Sequence, residues 1–280
     1  MLTESPTAPV REPVLRFAPV PARPSIAALF EIERELAATA RDGLDHPVAH
    51  ARLDWWDEEL ERLARAAPRH PATRTLAAAA AAAGRSPPDL RPLTEATRIE
   101  VARVAFLDRT ELDAYLGHWA AALFRTLALS HTTDDVAIAA AERFAATAGP
   151  ALREIELLAL VTRHARAGRV FVPLGDPPGP HAPWTREPLA PAQSETLRLR
   201  LVALQATVHD AAHGLPGEAR PALRPALVWA ALGLRTVRSC IDALPGLPQP
   251  ARAEPLRRTL LAWRAALAAA RGRLPPGLAA

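Results

Sequence analysis

The chain has 280 residues, with 34 basic and 30 acidic side chains and a formal net charge of +4. Nearly half of the residues are apolar but only 5% are aromatic, and the abundant Ala and Leu are the strongest helix formers. This composition favours an all-α protein. The basic residues are all arginines and alternate with carboxylates, as in EELERLARAAPR. We therefore expect solvated helix faces and no nucleic-acid partner.

Two features of the sequence bear on the cellular compartment: a single cysteine, and the absence of a long apolar run. Cys240 cannot form an internal disulfide, which fits a reducing compartment, and its neighbours predict a buried position in a helix. No stretch approaches 18 strongly apolar residues, so no transmembrane segment is expected. The first residues lack the basic start and apolar core of a signal peptide. These features predict a cytoplasmic protein.

Prolines mark the first 24 residues as a separate segment, with six of them between Pro6 and Pro24. That density predicts a flexible lead-in without a helix. From Ser25 onward, apolar residues recur every three or four positions, which is typical of amphipathic helices. We expect one helical domain over 25–280, because no polar linker divides the middle of the chain.

The helices predicted within this domain follow one another with short connections. They cover 25–43, 46–67, 70–84, 93–107, 110–129, 132–168, 192–213, 221–243 and 254–272. The sixth is longer than an ordinary helix, and Gly149 and Pro150 are expected to kink or split it. The Pro- and Gly-rich stretch 171–191 predicts an irregular loop.

Two short motifs could bind a metal ion, but each has a simpler interpretation. In HDAAHG, His209 and His213 share a helix face as zinc ligands do, but no third ligand accompanies them. In LDWWDEELE, Asp54, Asp57 and Glu58 could hold Mg²⁺. Carboxylates are equally expected in the first half of an amphipathic helix. We predict no metal site at either motif.

A more specific pattern lies in GPALREIELLALVTRHARAGRVFVPLGD. It resembles the signature helix of the squalene/phytoene synthase family, which starts with Gly-x-Ala and ends with Gly-Arg-aromatic-x-Pro. Gly149 and Ala151 match the start of this motif, and Gly168, Arg169, Phe171 and Pro173 match its end.

Two other stretches agree with the same family in order and spacing. ARLDWWDEELERLARAAPRHPATRTL resembles its tryptophan helix, which is followed by a His-Pro step. TELDAYLGHWAAAL resembles its Glu-Leu-x-x-Tyr helix, with Tyr115 at the tyrosine. The resemblance spans about residues 26–272. It implies a single-domain helical bundle of the isoprenoid-synthase type around a central cavity. It also implies head-to-head joining of two prenyl diphosphates, with Mg²⁺ held by two Asp-x-x-x-Asp motifs.

The chain departs from this pattern at both aspartate motifs. Counting back from Gly168-Arg169, the second pair falls on Leu160 and His164, and neither residue is a good Mg²⁺ ligand. No aspartate pair stands in FEIERELAATARD, where Glu31 and Glu35 have the right spacing but lie too early. Glu31, Glu35 and Glu100 are the weak catalytic candidates.

Spacing places Leu157, Leu160, Val161 and His164 on one face of the signature helix. In the family, the corresponding face lines the cavity. The resemblance therefore implies an apolar cavity wall without a metal site. The residues predicted to line it are Tyr115, Leu157, Leu160, Val161, His164, Arg169 and Phe171.

Three functions follow from these observations. The first is a family member without Mg²⁺-dependent chemistry, which binds a prenyl or lipid chain in an apolar pocket or acts as an accessory factor. A mitochondrial complex I assembly factor of the same superfamily offers a precedent for the fold without the transferase chemistry. The segment LFEIEREL resembles the sequence of that factor at the position of the first aspartate motif, with a Phe and a Glu-Leu pair. The second is an active prenyltransferase that uses Mg²⁺ with Glu31, Glu35 and Glu100. The third is an unrelated helical interaction module. No cofactor is expected unless the second holds. Contact with a membrane surface or a protein partner remains open.

Overall fold

The computed structural model describes residues 8–40, 44–102, 106, 108–132, 134–166, 188–246 and 255–279. Within them, all regular structure is helical, which confirms the predicted all-α class. The α-helices are α1 (Ala8–Phe17), α2 (Arg23–Thr39), α3 (His46–Ala64), α4 (Pro71–Ala82), α5 (Arg91–Val101), α6 (Arg109–Trp119), α7 (Arg125–Leu129), α8 (Asp135–Ala159), α9 (Val161–Arg166), α10 (Pro191–His213), α11 (Arg224–Ala243) and α12 (Pro255–Ala270).

Helix α8 lies at the centre of the bundle. It packs against α6, α7, α10 and α11, and α11 in turn packs against α1 and α12. Helices α2 to α5 form the other side, where α2 contacts α4 and α5, and α5 contacts α6. Among the described residues, no helix has the length and apolar character needed to cross a bilayer.

The core contains an aromatic cluster around Trp229. The centroid of its ring lies 5.8 Å from each of the rings of Phe30, Trp119 and Phe124. Trp119, Phe124 and Trp229 are at most 2% exposed. Because aromatic side chains remove large apolar areas from water, this cluster joins α2, α6 and α11 firmly. Cys240 is also buried, as predicted, and burial raises the pKa of its thiol to about 12.

The prediction that the lead-in contains no helix is wrong over Ala8–Phe17. Pro13 stands inside α1 and cannot donate a helical hydrogen bond. The helix is held instead by tertiary contacts, because Arg11 and Val14 are buried and α1 packs against α11 and α12. The proline content of this segment predicts no helix, but packing against helices distant in the sequence stabilises one.

The predicted split at Gly149 and Pro150 is also wrong. Helix α8 runs through both residues and ends at Ala159. Pro150 leaves the carbonyl of Ala146 without a helical partner, but Ala146 is exposed, so water can satisfy that group. The predicted irregular loop over 171–191 lies mostly outside the described residues, and α10 begins at Pro191.

Gly149 is required by the close approach of α8 to the segment after α6. That segment, Ala120–Phe124, is a π-helical turn where an uninterrupted helix was predicted. A Cβ on Gly149 would lie 2.9 Å from the Cβ of Ala120 and 3.2 Å from Cδ1 of Phe124. Both neighbours are buried, so a larger residue would need the two helices to separate.

We expect Gly149→Ala to lower the free energy of unfolding by about 1–3 kcal/mol, because overpacking strains the core. Gly117 is the matched control, since a Cβ there would meet no atom within 4 Å. Gly117→Ala should raise stability by roughly 0.5–1 kcal/mol through helix propensity. Urea denaturation of both variants measures the difference. Equal effects would show that the contact with Ala120 is unimportant.

Candidate functional site: an interior network of ion pairs

Charged side chains meet in the middle of the bundle, where α1, α2, α5, α6 and α8 come together. We call this group the interior ion network. It consists of Arg11, Glu33, Glu100, Tyr115, Arg153 and Glu156. The five charged side chains of the network are between 8% and 17% exposed. Charges this far from water must be paired to be tolerated.

Arg11 comes from α1 and joins two carboxylates of different helices. Its Nε and Nη2 donate to the two oxygens of Glu33 at 3.0 and 2.5 Å. Its Nη1 and Nη2 donate to the two oxygens of Glu156. The guanidinium also lies over the ring of Trp229, 4.0 Å from the centroid, in a cation–π contact. Burial disfavours the charged form, but the two carboxylates outweigh it and raise the pKa of Arg11.

Arg153 is the second cation of the network and lies on α8. It donates through Nη2 to Glu100 at 2.8 Å and through Nη1 to Glu156 at 3.2 Å. Its Nη2 also donates to the hydroxyl of Tyr115 at 2.7 Å. Burial lowers the pKa of this guanidinium, but the neighbouring oxygens more than compensate and raise it well above its ordinary value. Arg153 therefore remains charged.

Tyr115 completes the connection between α5 and α6. It is fully buried, and its hydroxyl donates to Oε1 of Glu100 at 2.5 Å. Burial is the main reason that the pKa of Tyr115 lies well above 10. Nearby Arg153 opposes that shift, and Glu100 adds to it. The phenol therefore keeps its proton and serves as a hydrogen-bond donor.

A further buried carboxylate of α8 pairs with arginines of two other helices. Glu154 has no exposed surface, and Arg200 of α10 donates to its two oxygens at 2.6 Å each. Arg109 of α6 donates to it at 2.8 Å. Burial raises the pKa of Glu154, but the hydrogen bonds from Arg200 and Arg109 outweigh burial and lower it. This pairing fixes the rotation of α8, and with it the inward direction of Arg153.

Two of the predicted site residues meet in the network and two do not. Glu100 and Tyr115 are in direct contact. Glu31 is exposed on α2, where Arg34 lies 3.6 Å from its carboxylate. Glu35 is partly exposed, with Arg34 at 3.8 Å and Nε2 of His70 at 3.6 Å. Glu31 and Glu35 thus face the surface and lie apart from the network.

The other predicted residues lie at the end of the signature helix. The predicted helix is interrupted at Leu160, because α8 ends at Ala159 and α9 starts at Val161. The N–H of Leu160 bonds to the carbonyl of Leu157 at 3.1 Å, which is a tighter turn than the α-helix makes. Leu157, Leu160 and Val161 are buried and His164 is partly buried. Arg169 and Phe171 lie outside the described residues.

The carboxylates of the network do not fit a Mg²⁺ site. Both oxygens of Glu33 and both of Glu156 accept hydrogen bonds from guanidinium groups. Oε1 of Glu100 accepts from Tyr115 and Arg153. A hard cation needs these oxygens free and is repelled by neighbouring guanidinium charges. The described residues also contain no cluster of three or more His, Cys, Asp or Glu suited to a metal ion.

The two other motifs considered for metal binding have partners of their own. Arg98 donates to both Asp54 and Asp57, and Arg62 donates to Glu58 at 3.3 Å. His209 and His213 stack with ring centroids 6.0 Å apart, and Nδ1 of His213 lies 2.9 Å from the carbonyl oxygen of His209. These contacts are those of solvated helix faces.

Sequence reasoning missed four members of the network. Arg153 and Glu156 had a visible signal, because they interrupt an apolar helix in LREIELLAL. Charged residues inside such a run indicate buried pairing. Nothing in the neighbouring sequence marks Arg11 or Glu33 as a buried charge. Arg11 and its partner Glu156 are 145 positions apart in the chain.

The helical bundle, whose central helix α8 carries the Gly-x-Ala start of the signature motif, defines an all-α protein of the isoprenoid-synthase type. The squalene/phytoene synthase family model matches residues 13–274, nearly the whole chain, and the protein belongs to this family. The third interpretation, an unrelated module, is therefore wrong. Searches of curated proteins and of solved structures found no match.

Proposed function

We propose that this protein is a member of the squalene/phytoene synthase family that has given up Mg²⁺-dependent transferase chemistry. It acts as an accessory or assembly factor of isoprenoid metabolism in the cytoplasm. One observation carries the proposal: the interior carboxylates bind arginines, whereas a synthase needs carboxylates that are free to bind Mg²⁺. Ionisation of a prenyl diphosphate places dense negative charge on the leaving group, and metal ions normally stabilise that charge.

The arrangement of the neighbouring side chains supports the same proposal. Arg11 and Arg153 pack against the indole ring of Trp119, at 5.9 and 5.1 Å from its centroid. Trp119 is 2% exposed and Tyr115 is fully buried. Both guanidinium groups therefore lie against buried aromatic side chains of the protein itself. A fixed network of this kind suits a scaffold that presents its outer surface to other molecules.

The transferase alternative needs carboxylates that converge on a metal ion. Glu31 and Glu35 already face Arg34, and Glu100 already binds Tyr115 and Arg153. These groups would have to leave their partners before they could hold Mg²⁺. Binding of a prenyl chain without catalysis is the milder alternative, and the same experiment distinguishes it.

The experiment is an assay for diphosphate release from farnesyl diphosphate in the presence of Mg²⁺, with analysis of the extracted lipids. We expect no release above the protein-free rate, and no change in Glu31→Gln, Glu35→Gln or Glu100→Gln. An authentic synthase serves as the positive control for the assay. Circular dichroism confirms that each preparation is folded.

Release that depends on Mg²⁺ and falls in Glu100→Gln would contradict the proposal and support the transferase. The thermal midpoint is measured in parallel with farnesyl diphosphate present. An increase without release would identify a retained prenyl pocket in an inactive protein.

A further inference from the structure

Helix α1 depends on the rest of the bundle for its structure. It packs against α2, α11 and α12. Pro13 and Val14 are buried, whereas Glu12 and Arg16 are exposed. A helix of ten residues is marginal in water by itself, and Pro13 removes one of its hydrogen bonds. Helix α1 therefore behaves as a short ligand that folds on the surface beneath it.

The surface beneath α1 includes a site that fits a guanidinium group. Arg11 donates two hydrogen bonds to Glu33 and two to Glu156. The ring centroid of Trp229 lies 4.0 Å from the guanidinium carbon. A planar guanidinium can make all of these contacts at once, but the compact ammonium of a lysine cannot. We call this surface, with Glu33, Glu156 and Trp229 at its inner end, the α1 groove.

The α1 groove also requires a positive charge. Among the described residues, the interior ion network has three carboxylates and two guanidinium groups, and thus one more negative than positive charge. If α1 left, Arg153 would be the one cation remaining in this part of the network. Buried carboxylates that lose their cationic partner are strongly destabilising. A ligand for the emptied groove must therefore bring a cation to the position of Arg11.

We propose that the α1 groove is a binding site for a helix that presents an arginine, and that α1 fills this site in cis. A helix of a partner protein takes the place of α1 and inserts its own arginine between Glu33 and Glu156. Helix α1 then acts as an internal competitor that covers the groove until the partner binds. Only the nature of the ligand in trans, a partner protein, rests on the proposed function.

The test is the fluorescence anisotropy of a labelled peptide with the sequence of residues 8–18, added to the full chain. In the parent, α1 occupies the groove, so we expect weak binding. In full-length Arg11→Ala, α1 loses its four guanidinium hydrogen bonds and competes less. The peptide should therefore bind to this variant at least about tenfold more tightly. The Arg11→Lys form of the peptide should bind roughly tenfold more weakly than the arginine form.

Arg16 provides the matched control, because it is exposed on the same helix and pairs with Glu12 on the surface. Arg16→Ala in the full chain should leave the affinity for the peptide at the parent value. The same change in the peptide should leave its affinity for the Arg11→Ala chain unaltered. Adding Glu33→Gln to the Arg11→Ala chain should abolish the gain in affinity, because the guanidinium of the peptide loses a charged acceptor.

Equal binding of the arginine and lysine peptides would overturn the inference. So would the absence of peptide binding to a folded Arg11→Ala chain. If that chain does not fold by itself, recovery of its helical circular dichroism by the arginine peptide alone supports the inference, and no recovery overturns it. Diphosphate release in the assay described above would contradict the proposed function but would not alter these peptide results, so the two failures are distinguishable.

Discussion

Replacing Arg153 by leucine is expected to lower the free energy of unfolding by about 3–5 kcal/mol, because buried carboxylates would lose a cationic partner. Glu100 and Glu156 both bind this guanidinium, and both are less than one-fifth exposed. Tyr115 would also lose the donor to its hydroxyl oxygen. The cost comes from leaving charge unpaired in the interior, rather than from any large net gain when the pair forms.

Arg143→Leu is the matched control for this substitution. It removes the same group from the same helix, but Arg143 is exposed, and its effect should stay within about 0.5 kcal/mol. Chemical denaturation at neutral pH measures both variants. A double-mutant cycle with Glu100→Gln should show an interaction energy of roughly 1–3 kcal/mol. A loss below about 1 kcal/mol in Arg153→Leu would mean that the carboxylates are solvated.

The second large effect is expected at Glu59, a fully buried carboxylate that organises the start of α4. It accepts hydrogen bonds from the backbone N–H groups of Arg69 and His70 at 2.7 and 2.8 Å. It also accepts from the hydroxyl of Thr73 at 2.5 Å and from Nε of Arg62 at 2.9 Å. Burial alone would raise the pKa of Glu59, but these four hydrogen bonds outweigh it and lower the pKa from 4.5 to about 2.

This shift fixes the sign of the pH dependence. The pKa of Glu59 is lower in the folded than in the unfolded protein. The ionised carboxylate therefore adds its full contribution to the free energy of unfolding above pH 4.5, and this contribution is lost as the pH falls towards 2. It amounts to about 3 kcal/mol. Glu59→Gln should lose most of that stability at pH 7. The difference between parent and variant should shrink towards zero at the acid end.

Glu61→Gln is the control for this pH series. Glu61 lies on the same helix, is 55% exposed and pairs with Arg65 on the surface, so its loss should cost under about 1 kcal/mol. Urea denaturation from neutral to acid pH measures all three proteins. A parent–Glu59→Gln difference that does not change with pH would show that the charge of Glu59 is unimportant.

Features set by local chemistry were predictable from the sequence. Helix α4 follows from a run of alanines between Pro71 and the positive-φ Gly84. Helix α8 was recognised as helical, but its continuity was not, because the exposure of Ala146 that tolerates Pro150 depends on the tertiary structure. The same holds for α1, where packing overcomes a proline.

The candidate site was predictable only in part. Glu100 and Tyr115 were named on separate grounds, and the structure brings them into contact. Arg11 could not be foreseen, because its partners Glu33 and Glu156 lie on helices far along the chain. Pairings of this kind depend on which helices become neighbours, and neither periodicity nor composition contains that information.

The most direct measurement of the central claim is a titration of the protein with Mn²⁺ in the presence of farnesyl diphosphate, followed by the electron paramagnetic resonance signal of free Mn²⁺. If arginines neutralise the interior carboxylates, the protein should remove no Mn²⁺ beyond the amount that the diphosphate binds alone. A Mn²⁺ site that disappears in Glu100→Gln or Glu156→Gln would contradict the account. It would show that the carboxylates can leave their arginines to hold a metal ion.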